Sequence, residues 1–94
     1  FGRTVAVNGT NGTDHGTGTV MFVMGGAVKG GRTYGDWPGL ANLQDNRDLR
    51  VAVDSRSIAK GILRDHFGID AADLGAKVFP DAPGLTPADG LLRA

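Results

Sequence analysis

A chain of 94 residues is one domain or part of one, and folding at that length buries only roughly 60–65% of the unfolded surface, so sixteen glycines and four prolines point to a thin core and much loop. Ten basic residues balance ten acidic ones, which leaves no charge footprint for nucleic acid or an anionic membrane surface, and no apolar run approaches the roughly 20 residues that span a bilayer. Cysteine is absent, which excludes a disulfide framework and a thiolate metal site and leaves the redox compartment open.

The chain opens with Phe1-Gly2-Arg3-Thr4, without a methionine and without the basic-then-apolar pattern of a signal peptide. It reads as a fragment, with a processed mature N-terminus as the alternative. Val5 and Val7 alternate with Thr4 and Ala6, a short pattern that makes Phe1–Val7 a candidate edge strand. Asn8-Gly9 and Asn11-Gly12 follow as two turn dipeptides suited to positive φ. Both also begin Asn-Gly-Thr sequons, for which turn formation is a sufficient explanation.

Val20-Met21-Phe22-Val23-Met24 is the most apolar run, bounded by Gly18 and by Gly25-Gly26. Without alternation it predicts a strand buried on both faces, as in a parallel or mixed sheet, with the methionines as core filler. Gly25–Leu40 is rich in turn formers, and Val28-Lys29 and Arg32-Thr33 flank Gly30-Gly31 in the manner of a small hairpin. Tyr34 and Trp37 either cap the core edge or line a ligand rim.

Leu49, Val51 and Val53 alternate with Arg50 and Ala52, predicting a second strand with one buried face. Asp54 is a suitable N-cap for a helix over Arg56–Phe67. Ile58, Ala59, Ile62, Leu63 and Phe67 lie on one face of that helix, and Ser57, Lys60, Arg64 and Asp65 largely on the other. Gly61 weakens the helix by roughly 1 kcal/mol against alanine, and Gly68 stands where a left-handed C-terminal cap is expected. Asp70 is placed to cap a short turn through Ala71–Leu74, with Val78-Phe79-Pro80 tucking onto the body. The remainder, with three prolines from Pro80 onward and few large apolar residues, predicts a single α/β domain over 1–80 and a flexible tail over 81–94.

The chemistry concentrates in Asn8–Gly18, NGTNGTDHGTG, where Asp14-His15 sits among small residues. Carboxylate and imidazole are both ligands for Zn²⁺ or Mn²⁺, and small neighbours leave room for water or substrate. A metal needs three or four ligands, and this chain offers Asp14, His15, Asp36 and His66, the last on a helix and read as a surface or groove histidine. The plain alternative for His15 is a loop histidine bonded to the backbone. Arg3 is suited to gripping an anionic oxygen, although a lone arginine is more often a surface charge. No phosphate-binding loop, dinucleotide fingerprint or nucleophile elbow is present in the sequence.

FGRTVAVNGTNGTDHGTGTVMFVMGGAVKGGRTYGDWPGL together with RDLRVAVDSRSIAKGILRDHFG resembles the C-terminal part of the bacterial domain-of-unknown-function 1501 proteins, over Phe1 to about Pro80. Those proteins are grouped with the alkaline phosphatase and sulfatase superfamily and often bear a twin-arginine export signal. The resemblance implies a C-terminal fragment of an alkaline phosphatase-like α/β sandwich, located in the periplasm or secreted. It implies a divalent metal, Zn or Mn, held by His15, with Asp14 as a second ligand or as its orienting partner. Arg3 would steady an anionic ester. The nucleophile and the other ligands would lie in the upstream part of the same polypeptide, and the acidic residue that ordinarily precedes the phenylalanine in the family is missing here. The expectation is therefore a segment of an exported metal-dependent hydrolase-like protein acting on phosphate or sulfate esters, an enzyme incomplete in this chain. The alternative is a non-catalytic binding or structural module on the same scaffold.

Overall fold

The structure is a computed structural model that describes residues 2–93. The chain divides into two compact units, Phe1–Phe22 with Tyr34–Ala52, and Val23–Thr33 with Val53–Ala94. Among the described residues the regular elements are helix α1 (Ser55–Phe67), one turn of helix α2 (Ala71–Asp73) and a π-helical turn over Leu74–Val78. No helix among them is long and apolar enough to cross a membrane.

The second unit is built on α1. Its start is set by Asp54, in extended backbone, whose carboxylate accepts the Arg56 N–H at 2.9 Å and so satisfies one of the orphan donors of the first turn. Its end is set by Gly68 at φ 68, a left-handed conformation that glycine adopts without steric cost. Gly68 donates to the Arg64 carbonyl at 3.0 Å and Ile69 to that of Leu63 at 3.2 Å. Asp70 caps the following turn through Ala72 N–H at 2.9 Å. These boundaries agree with the sequence pattern.

The face of α1 expected to meet water instead carries the C-terminal segment. Ser57 Oγ donates to the Thr86 carbonyl at 2.6 Å, and Lys60 Nζ to those of Ala82 at 2.6 Å and Leu85 at 2.9 Å. Ala88 N–H donates to the Ser57 carbonyl at 3.0 Å. Lys60 is only 2% exposed, and charge-assisted bonds to two carbonyls offset the cost of burying its ammonium. Gly61 lies directly against the Ala88 carbonyl, with no space for a Cβ. Arg56 pairs with Asp81 at 2.9 Å and Arg64 with Asp89 at 2.7 Å. Held in this way, Ala88 and Leu91 bury against Ile58, and Val23, Val53, Ile62 and Leu92 pack around them.

The described residues of 81–94, expected as a flexible tail, lie along α1 through these bonds. Prolines lack an N–H and hold the preceding residue extended, so this segment offers carbonyls that a regular ladder would leave unmatched. The side chains of α1 supply the donors. Lys29 N–H donates to the Leu91 carbonyl at 2.9 Å and Arg93 N–H to that of Ala27 at 2.7 Å, around an antiparallel bridge from Val28 to Leu92. Val28 thus pairs with the C-terminal segment, and the hairpin expected across Gly30-Gly31 does not form. Phe79 is half-buried and Val78 exposed.

The first unit is held by backbone and polar side chains. Val5 and Ala6 donate to the Arg47 carbonyl at 2.7 and 3.2 Å. Gln44 bridges Asp48 around a reversal in which Asp45 and Asn46 take φ of 53 and 58. Phe1–Val7 shows no strand among its described residues beyond the isolated bridge from Arg3 to His15.

The buried strand expected at Val20–Met24 is not formed. Phe22 is 77% and Met24 85% exposed, and only Val23 packs on a core. The stretch Leu49–Val53 also lacks strand pairing, and Val51 is exposed. A strand exists only with a hydrogen-bonded neighbour, and the described residues provide no ladder for either segment.

Two outcomes follow from these contacts. Gly61→Ala gains roughly 1 kcal/mol of helix propensity but drives a methyl into the Ala88 carbonyl, an overpacking that costs about 1–3 kcal/mol, so we expect net destabilisation of up to about 2 kcal/mol in urea unfolding. The Arg56 side chain, followed by its backbone N–H, lowers the Asp54 carboxyl from 3.8 to about 2. The folded state thus binds this proton less readily than the unfolded one. That stabilising contribution is complete above about pH 4 and disappears as pH falls toward about 2. Urea midpoints measured across this window should fall less steeply in Asp54→Asn than in the wild type.

Candidate functional site

The loop of residues 8–18, in the first unit, is organised by one amide. Asn8 Oδ1 accepts the Thr10 N–H at 3.0 Å, the Thr10 hydroxyl at 2.9 Å and the Gly12 N–H at 3.0 Å. The Asn8 N–H closes the turn on the Gly12 carbonyl at 2.8 Å. Of the two Asn-Gly pairs, positive φ falls on Asn11, at 59, which asparagine tolerates better than other non-glycine residues. The first sequon is thereby accounted for as turn chemistry, since the Asn8 side chain is engaged inside it.

Beyond the turn the chain returns beside its own beginning. Thr4 N–H donates to the Asp14 carbonyl at 3.1 Å, Asp14 N–H to the Thr4 hydroxyl at 3.0 Å, and Gly16 N–H to the Gly2 carbonyl at 3.0 Å. Arg3 and His15 face each other in the antiparallel bridge between them. The three residues singled out from sequence, Arg3, Asp14 and His15, are thus brought together by main-chain pairing.

Their side chains differ in freedom. The Arg3 guanidinium is anchored on Thr13, donating from Nε to Oγ1 at 3.2 Å and from Nη2 to the carbonyl at 2.6 Å. It retains further N–H donors for an anion. Asp14 accepts from Asn8 Nδ2 at 3.0 Å and lies 3.9 Å from Arg47, an exposed pair that contributes little to stability. His15 is exposed. The main-chain bonds around it are those of its neighbours, Asp14 and Gly16.

Asp36 is exposed. His66 stands on α1 with its ring edge-on to Phe67 at 4.9 Å, beside an apolar cavity of about 220 Å³ that Val23, Val28, Ile62 and Leu92 also line. Tyr34 and Trp37 are both exposed. Among the described residues no group of three or more His, Cys, Asp or Glu side chains converges as a metal site. Asp14 and His15 suit a divalent ion chemically but amount to two donors, where zinc takes three or four protein ligands.

One residue in the unit escaped sequence reasoning. Asp48 Oδ2 accepts both the N–H of Thr17, at 2.7 Å, and its hydroxyl, at 2.9 Å. Those bonds, the backbone one foremost, hold its carboxyl below the usual carboxylate range. The backbone N–H groups of Gly18 and Leu49 act in the same direction, without giving the other oxygen, Oδ1, a hydrogen-bond partner. The glycines Gly16 and Gly18 were the available signal. A Cβ on Gly16 would stand 2.7 Å from Asp48 Oδ1 and 2.9 Å from the Arg3 carbonyl carbon, and one on Gly18 would meet the Leu49 backbone. Glycine here announces close approach, but not by which residue.

A family model described as "Protein of unknown function (DUF1501)" matches residues 1–86. No curated protein and no solved structure matches the chain.

Asn8→Asp replaces a donor with an acceptor opposite the Asp14 carboxylate, setting two negative groups at hydrogen-bond distance. Amide hydrogen exchange at Thr10 and Gly12 should quicken in this variant while the amides of α1 keep their wild-type rates.

Proposed function

The chain belongs to the DUF1501 family, whose function is unknown, and from that premise we propose that it is part of an exported, metal-dependent hydrolase-like protein acting on phosphate or sulfate esters. The carrying observation is the return of residues 14–16 beside residues 2–4, which places Asp14, His15 and Arg3 in one loop. In this reading His15 is a metal ligand and Asp14 a second ligand or its orienting partner. The remaining ligands and the nucleophile come from outside these residues, in the same polypeptide. The parent fold is an alkaline phosphatase-like α/β sandwich.

A bound Zn or Mn would supply Lewis-acid polarisation of the ester and stabilise developing negative charge. Arg3, fixed through Thr13, directs its free N–H donors at an anionic oxygen, and a planar guanidinium suits the paired oxygens of a phosphate or sulfate group. Asp14 and His15 are both exposed, which leaves the approach to the pair open.

One observation favours the second reading, a non-catalytic binding or structural module. The Asp14 carboxylate already accepts from Asn8 and neighbours Arg47, which is how a residue that only fixes its loop would be placed.

Elemental mass spectrometry of the full-length polypeptide separates the two. We expect near-stoichiometric Zn or Mn in the wild type and at least a tenfold loss in folded His15→Ala, in the range usual for disrupted metal sites. Equal metal content in both proteins, or none in either, removes His15 from a metal centre and leaves the binding module.

A further inference from the structure

We propose that Asp48 is a positioning residue for the Asp14-His15 loop, clamping its far side through Thr17. This rests on the functional reading of that loop and deepens it. The near side of the loop is fixed by Asn8, Thr4 and Arg3 through the bonds described above. Beyond His15 the chain has only Gly16, Thr17 and Gly18 before the exposed Thr19, and glycines by themselves hold no geometry.

Past the main-chain bond from Gly16 to the Gly2 carbonyl, this side is held by a carboxylate from 31 positions along the chain, accepting from the backbone and the hydroxyl of the same threonine. The pair forms a two-point contact, so it fixes orientation as well as distance. Its close fit depends on bare glycine on either side, with Gly16 against Asp48 Oδ1 and the Arg3 backbone, and Gly18 against Leu49.

The segment bearing Asp48 is fixed in turn. Asp48 closes the reversal with Gln44, whose N–H donates to the Asp48 carbonyl at 2.8 Å, and the adjacent Arg47 carbonyl takes the N–H groups of Val5 and Ala6. The same segment therefore holds both the strand-like stretch carrying Arg3 and the exit of the loop carrying His15. The other oxygen, Oδ1, is buried without a hydrogen-bond partner, an arrangement with a desolvation cost.

The test compares wild type, Asp48→Ala, Thr17→Val and Thr17→Ser in the full-length polypeptide. Hydrogen exchange by mass spectrometry is read in peptides spanning residues 8–18 and α1, without added metal, and zinc affinity is then titrated. We expect about tenfold faster exchange in 8–18 for Asp48→Ala with α1 unchanged, and zinc binding at least tenfold weaker. Thr17→Val should fall between, and Thr17→Ser, which keeps both donors, should match wild type. Unchanged exchange in 8–18 for Asp48→Ala overturns the assignment. So does an equal rise in α1, which marks general destabilisation, or a Thr17→Ser that behaves as Thr17→Val. If Asp48→Ala does not fold, the two threonine variants decide the matter by the same comparison. If the wild type takes no zinc, the metal reading fails, and the exchange pattern still upholds or overturns the clamp.

Discussion

The ammonium of Lys60 and the carbonyls of Ala82 and Leu85 are the interaction on which the second unit depends. The unit buries few of its large apolar residues, and its core of Ile58, Ala88 and Leu91 forms where a proline-bearing segment lies flat along a helix. Such a segment has carbonyls without a ladder to receive them. Lysine is long enough to reach two of them from within the helix, and its aliphatic stem covers apolar surface on the way. Gly61, one residue on, removes the side chain that would hold the Ala88 carbonyl away.

The first unit meets a similar shortage by another route. It has no helix among its described residues, and its shape follows from side chains that imitate backbone. Asn8 gathers three donors on one oxygen, the Thr4 hydroxyl accepts an N–H that a longer ladder would have taken, and the Asp48 carboxylate receives Thr17. Small polar residues and glycine are suited to this, because they bring oxygen atoms close to the main chain without bulk. The result is a loop whose backbone is well bonded while His15 stays exposed, a combination that a ligand-binding residue needs.

The functional reading combines evidence of different kinds. Family membership rests on a match over most of the chain, and it assigns no activity. The case for chemistry rests on Arg3, Asp14 and His15 sharing one loop, and on the fit of imidazole, carboxylate and guanidinium to a divalent ion and an anionic ester. In the proposed reading, Asp14 and His15 would be two metal donors and Arg3 one anion donor, and the rest of the polypeptide would have to add the others.

Helix α1 and its caps were legible in the sequence because they depend on neighbours within one turn: Asp54 reaches Arg56, and Gly68 takes a backbone conformation that its lack of a Cβ permits. Asp14-His15 stood out by composition, and the pairing that sets Arg3 opposite His15 was not legible. The apolar run Val20–Met24 shows the limit in the other direction, since hydrophobicity records a tendency to be covered and carries no information on what does the covering. Whether Lys60 faces water or carbonyls, whether residues 82–93 hang free or seat on α1, and which residue receives Thr17 were decided by the tertiary structure alone. In each case the partner lies 22 or more residues away, and only the folded chain brings donor and acceptor within 3 Å.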